Sequence, residues 1–151
     1  MGPGLGPHAE TGPATPRPLS RALVVDASAL VDFLLGLAPA SVSAAIERPG
    51  VQLNVPALCD VEFIAALRQI VRRGLIGTQR AREALEDYLA LPLNRREHVA
   101  VLARAFDLAT FSARDAIYVA LAERLDAELL TTDLRLARAV AASRNVRVAL
   151  A

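Results

Sequence analysis

The sequence predicts an α/β fold, a three-layer α/β/α sandwich around a central, mainly parallel sheet. Three observations predict it. Short apolar runs recur along the chain, each followed by a stretch with helical character. The runs are continuous rather than alternating, as expected of strands covered on both faces. Two of them lead into aspartates, Asp26 and Asp133, and the carboxyl ends of strands are where such sheets bind ligands.

Taken in order, residues 22–25 read as the first buried strand. Residues 27–35 read as a helix closed by Gly36, and 39–48 as another that opens on Pro39. "VQLNV", 51–55, reads as the second strand. Pro56 then opens a long helix that runs through Arg73 and stops at Gly74. Thr78 reads as the N-cap of a helix reaching about Ala90. "LPL", 91–93, reads as a short strand, followed by helices near 95–106 and from Ala113 to Leu125. "ELLTT", 128–132, is the next strand, 134–142 a helix, and "VRVAL", 146–150, the last strand. Residues 1–20 are rich in Gly and Pro and lack hydrophobic periodicity. They read as a disordered tail or as a start assigned too early, which leaves 21–151 as the folded domain.

Composition removes several functional classes. All 17 basic residues are arginine, so Schiff-base chemistry and a P-loop lysine are excluded, and every cationic contact is a planar guanidinium. Cys59 is the single cysteine, which rules out an internal disulfide and a thiolate zinc site. It reads as a small core residue in a protein of the reducing cytoplasm. His8 and His98 are too few and too far apart in sequence for a histidine metal site. No apolar run is long enough for a membrane span, and the N-terminus has no signal-peptide core. A net charge of +1 argues neither for nor against nucleic acid.

Four acids differ from the rest. Asp26, Glu62, Asp115 and Asp133 lie among apolar or small residues and have no basic residue three or four positions ahead. Each has an ordinary reading. Asp26 and Asp133 can cap the helices that follow, Asp115 can form a capping box with Ser112, and Glu62 can be a solvated helix residue. Together they suggest another. Two strand tips and two helix starts can meet at one cleft, where four converging carboxylates repel and only a hard divalent cation makes the arrangement sensible. Oxygen-only ligation favours Mg²⁺ or Mn²⁺. Asp60 lies about 200° around the helix from Glu62 and is left out of the set.

The residues that carry these acids resemble the PIN-domain family, in particular the VapC toxins of bacterial toxin–antitoxin pairs. "VVDASALVDFLL" is similar to the family's opening strand and first acid, at Asp26. "VPALCDVEFIAALRQIVRRGLI" is similar to its second-acid helix, with Glu62. "FSARDAIYVALAERLDAELLTTDLRLARA" carries the third acid, Asp115, and the T-x-D motif as Thr131-Thr132-Asp133. "TQRAREALEDYLALPL" resembles the connecting helix of VapC. The resemblance covers about residues 22–150.

What the resemblance implies is a PIN-like sandwich with metal-dependent endoribonuclease activity and Asp26, Glu62, Asp115 and Asp133 around the metal. It also implies a VapB-like antitoxin that blocks the cleft, and a homodimer, whose interface is expected on helices 57–73 and 78–90 near Ile76 and Leu85. Asp26 and Asp115 are expected to bind Mg²⁺ most directly, with Glu62 and Asp133 holding waters or a second ion. Ser28 and Thr131 are expected to support the acids, and Arg114, at a helix start beside Asp115, to contact RNA phosphate. A haloacid-dehalogenase-type site would need a D-x-D pattern where Asp26-Ala27-Ser28 stands, and a lysine. A non-enzymatic PIN-like binding module is the remaining alternative.

Overall fold

The computed structural model describes residues 21–149. The stretch 1–20, read above as a disordered tail, lies outside the described residues, as does residue 150 of the expected last strand. Five strands form one parallel sheet: β1 (Ala22–Val25), β2 (Gln52–Pro56), β3 (Leu93–Arg96), β4 (Glu128–Leu130) and β5 (Val148–Ala149). Their order is β3-β2-β1-β4-β5. Leu23 pairs with Leu53 on one side of β1 and with Glu128 on the other. The chain winds from β1 toward one edge, then returns to β4 and continues toward the other. The point where this direction reverses lies between β1 and β4, where an open α/β sheet forms its ligand crevice.

Among the described residues, seven α-helices surround the sheet: α1 (Ala27–Leu34), α2 (Ala40–Ile46), α3 (Leu58–Arg72), α4 (Thr78–Ala90), α5 (Leu102–Asp107), α6 (Ala113–Arg124) and α7 (Leu134–Ser143). Right-handed crossovers put α1–α4 over one face and α5–α7 over the other. The contacts agree, for α1 touches α3 and α4, and α5 touches α6, which lies across β1, β2 and β4. The core is aliphatic. Val24, Val25, Val55, Leu129 and Leu130 are fully buried strand residues, and α6 is buried continuously from Ala116 to Ala122.

Both expected glycine stops form. Gly36 and Gly74 take φ of 74° and 69°. At the second, the Gly74 amide donates to the Val71 carbonyl (2.9 Å) and the Leu75 amide to the Ile70 carbonyl (3.2 Å), which together close α3. Elsewhere the boundaries move. Gly77, not Thr78, is the N-cap of α4, and Thr78 is its first helical residue. The strand expected at 91–93 is β3 at Leu93–Arg96, because the Leu91 amide is still bonded to the Asp87 and Tyr88 carbonyls at the end of α4. That shift removes the start of the helix expected near 95–106, which begins as a 3₁₀ turn at Val99–Val101.

Cys59 is buried, as read from the sequence, and burial pushes its thiol up to about 11. Asp60 faces away from the sheet crevice. It accepts the Tyr88 hydroxyl at 2.6 Å and the Arg95 Nε at 2.9 Å. Among the described residues, no helix is long and apolar enough to cross a membrane.

Candidate active site

A cleft of about 490 Å³ opens at the carboxyl end of β1, and its lining includes Asp26, Glu62, Asp115 and Asp133. Asp26 follows β1 directly; its amide still donates to the Leu130 carbonyl of β4 (2.8 Å), and α1 begins at the next residue. It occupies the N-cap position of α1 but makes no capping bond there, so its ordinary reading fails. The carboxylate turns inward and is 8 % exposed. Ser28 Oγ and Thr131 Oγ1 both donate to its Oδ2, at 2.7 and 2.8 Å. Thr131 Oγ1 also accepts the Asp133 amide at 3.0 Å, which ties the two strand tips together. Ser28 and Thr131 therefore sit where the sequence placed them, against the first acid.

Glu62 is not a solvated helix residue. Its side chain is 14 % exposed, and its Oε1 accepts the Tyr118 hydroxyl at 2.8 Å. Asp115 lies in the first turn of α6, where its amide donates to Ser112 Oγ at 3.2 Å. Half of the capping box thus forms, while the Asp115 carboxylate pairs with Arg135 at 3.1 Å. For Asp133 the capping reading holds. Its Oδ1 accepts the Arg135 and Leu136 amides at the start of α7, while Oδ2 lies 3.4 Å from the Arg135 guanidinium.

The electrostatics follow from this placement. Burial holds Asp26 above the ordinary carboxylate range; the Ser28 and Thr131 hydroxyls pull it down and the Asp115 charge pushes it up. Burial likewise raises Glu62, with Tyr118 opposing, Asp26 and Asp115 adding and Arg114 opposing. Two guanidiniums offset part of the charge, Arg135 on Asp115 and Asp133 and Arg114 on Glu62 at 3.5 Å. This corrects the expectation that only a divalent cation makes such a cluster tolerable. Asp26 has no guanidinium partner among the described residues.

Sequence reasoning missed Tyr118 and Arg135. Tyr118 lies three residues after Asp115 on the same helix, so its place on the cleft side of α6, buried behind Glu62, was readable from spacing. Arg135 carries no helical-spacing signal, because its cap-turn partner is two residues away and its other partner twenty. Tyr118→Phe keeps the shape of a buried ring and removes the donor to Glu62. The expected result is about a tenfold loss of activity, the scale of removing a support behind a working carboxylate. The acid limb of the pH–rate profile should also move to higher pH, as Glu62 then holds its proton more tightly.

Carboxylate oxygens suit Mg²⁺ and Mn²⁺, and the buried Asp26 carboxylate is held by neutral hydroxyls alone. Among the described residues, no three His, Cys, Asp or Glu side chains stand close enough to hold an ion between them. The set therefore fits an ion held through one or two carboxylates with water completing its shell, the usual arrangement for Mg²⁺.

The PIN domain family matches this chain over residues 23–142. The chain belongs to the PIN-domain family. That span includes all four acids, β1 except for Ala22, and β2 to β4. Among PIN-domain relatives, the VapC ribonuclease Mb0985 of Mycobacterium bovis is 41% identical over 115 residues, covering 76% of this chain and 87% of the relative. Ribonuclease VapC12 of Mycobacterium tuberculosis is 39% identical over 117 residues, covering 77% and 90%. A chain of a toxin–antitoxin complex from Klebsiella pneumoniae has the same fold, with a TM-score of 0.61 at 18% identity, over 85% of this chain and 98% of that one.

Proposed function

We propose that this PIN-domain chain is the toxin of a toxin–antitoxin pair and a Mg²⁺- or Mn²⁺-dependent endoribonuclease of the cytoplasm. The observation that carries the reading is the convergence of Asp26, Glu62, Asp115 and Asp133 on one cleft where the sheet changes winding direction. Relatives named as ribonucleases, at 35–41% identity over most of the chain, support it.

Asp26 and Asp115 would hold the cation, with Glu62 and Asp133 reaching it through water. When bound, the cation neutralises phosphoryl charge and brings the pKa of water toward neutrality. Ser28 and Thr131 fix the Asp26 carboxylate, so it does not rotate away when substrate enters. Tyr118 fixes Glu62, whose raised pKa suits it to take a proton from the attacking water at Oε2. Arg114, whose side chain is 70% exposed, can leave Glu62 for a phosphate oxygen. Water rather than the ribose 2′-hydroxyl attacks the phosphorus, the bond to the 3′-oxygen breaks and that oxygen leaves as a 3′-hydroxyl, so the product carries a 5′-phosphate. Mapping the cleaved ends tests this, and a 2′,3′-cyclic phosphate would overturn it.

The inhibitory partner in this reading is a VapB-like antitoxin whose C-terminal segment covers the cleft. A second, apolar groove of about 360 Å³ lies between α3 and α4, lined by Ile64, Leu67, Val71 and Leu85 among others. It carries no acid, and it belongs to the surface we assign to a homodimer. The exposed apolar residues there are Val61, Ile64 and Leu89. Ile76 and Leu85, which the sequence suggested, are half-buried. Introducing charge with Ile64→Glu and Leu89→Glu together should convert the dimer to monomer in light scattering. An unchanged mass would move the interface elsewhere.

A further inference from the structure

We infer that α3 is the substrate track of the cleft, with Gln69 reading a base and Arg72 holding a backbone phosphate beyond it. This rests on the ribonuclease reading above. The cleft lining follows one face of α3 from Glu62 through Ala65 and Ala66 to Gln69 and Arg72. These positions recur at helical spacing, and Glu62 to Arg72 spans about 15 Å of helix axis. The face changes character along its length. It begins at a carboxylate, passes two alanines that leave room above the helix, and then offers a carboxamide and a guanidinium.

Position along the cleft decides which arginine can hold substrate at the far end, because Arg114 and Arg135 stand among the acids. Three arginines line the cleft, Arg72, Arg114 and Arg135. Arg114 is paired with Glu62, and Arg135 with Asp115 and Asp133. Arg72 stands where the cleft meets the apolar groove between α3 and α4, is exposed, and has no carboxylate partner among the described residues. A polyanion drawn into an acidic cleft needs a cation beyond the acids, and Arg72 is the one so placed. Its planar fork suits a phosphate. Gln69 is also exposed and without a side-chain partner among the described residues. A carboxamide presents a donor and an acceptor side by side, which matches the edge of an unstacked base, adenine first among them. The alanines between them admit the nucleotide next to the cut.

Arg72 also lies in the last turn of α3, where a cation favours the helix end. The test therefore reads something a helix-end role would not move. Binding of a fluorescent single-stranded RNA is measured against salt, with the Asp26→Asn chain as background. Arg72→Ala should weaken binding several-fold and reduce the salt slope by about 0.7, one phosphate contact on a single strand. Arg72→Lys should restore the slope, and Arg73→Ala, outside the cleft lining, should leave it unchanged. In the active background, Gln69→Ala should flatten base preference at one position beside the cut by about tenfold, with the salt slope intact. A loss of Tm in Arg72→Ala with the slope unchanged would assign Arg72 to the helix end and overturn its role. Unchanged base preference would overturn that of Gln69. If the wild type cleaves RNA while both variants behave as wild type, the track falls and the nuclease stands. If Arg72 carries the slope but nothing is cut with a divalent ion, the track stands and the nuclease falls.

Discussion

Asp26→Asn should lower RNA cleavage by about 10³-fold, the scale expected when a group stabilising developing charge is lost, and at the same time raise the Tm of the metal-free protein. The two effects share a cause. Asp26 is 8 % exposed, held by two hydroxyls, and without a cation among the described residues. Its burial opposes ionisation, so the folded state binds its proton more tightly than the unfolded chain does. The stability this proton contributes is present below the unfolded carboxylate range. It is lost as pH rises through the higher folded value. At neutral pH the metal-free wild type therefore carries a buried charge that the amide does not. The variant should gain a few degrees, the scale of about 1 kcal/mol in a domain of this size. The gap should shrink as pH falls toward about 4. Thermal melts of both proteins in EDTA at several pH values check it; a variant less stable than wild type at neutral pH would contradict the account of Asp26.

The second large effect is stabilisation by the cation itself. Anything that binds only the folded state raises its stability by mass action, by about 2.7 kcal/mol at a hundred times its Kd. Mg²⁺ or Mn²⁺ should therefore raise the Tm of the wild type by several degrees. The rise should be largest near neutral pH, where Asp26 and Glu62 are ionised, and should fade in acid as these raised carboxylates take up protons first. Asp115→Asn should remove most of the rise and free Arg135 from one of its two partners. Melts with and without the ion separate this from catalysis, since no RNA is present. A wild-type Tm insensitive to either ion would argue against the cation role of the four acids.

How much of this was legible in the sequence differs by residue. Asp26 could be read because a carboxylate closing an apolar run breaks the pattern of a buried strand, and the parallel sheet follows from several such runs. Strand β3 was misplaced because Leu93-Asn94-Arg95-Arg96 is polar and largely exposed at the sheet edge, so no apolar run marks it. The nearby "LPL" drew the assignment instead. Asn54 is fully buried in β2, and nothing local announces it. Its amide donates to the Gln52 carbonyl and its Oδ1 accepts Arg96 Nε at 3.0 Å, a partner on the neighbouring strand. The pairings of Arg114 with Glu62 and of Arg135 with Asp115 are likewise tertiary. They join residues that are distant along the chain, and periodicity cannot see them.

The decisive experiment is cleavage of total cellular RNA by the full chain, purified free of any partner, with Mg²⁺, with Mn²⁺ and with EDTA, beside Asp26→Asn. Cutting should occur with a divalent ion and disappear in EDTA and in the variant. Cutting that persists in EDTA, or that survives Asp26→Asn undiminished, would contradict the proposed function.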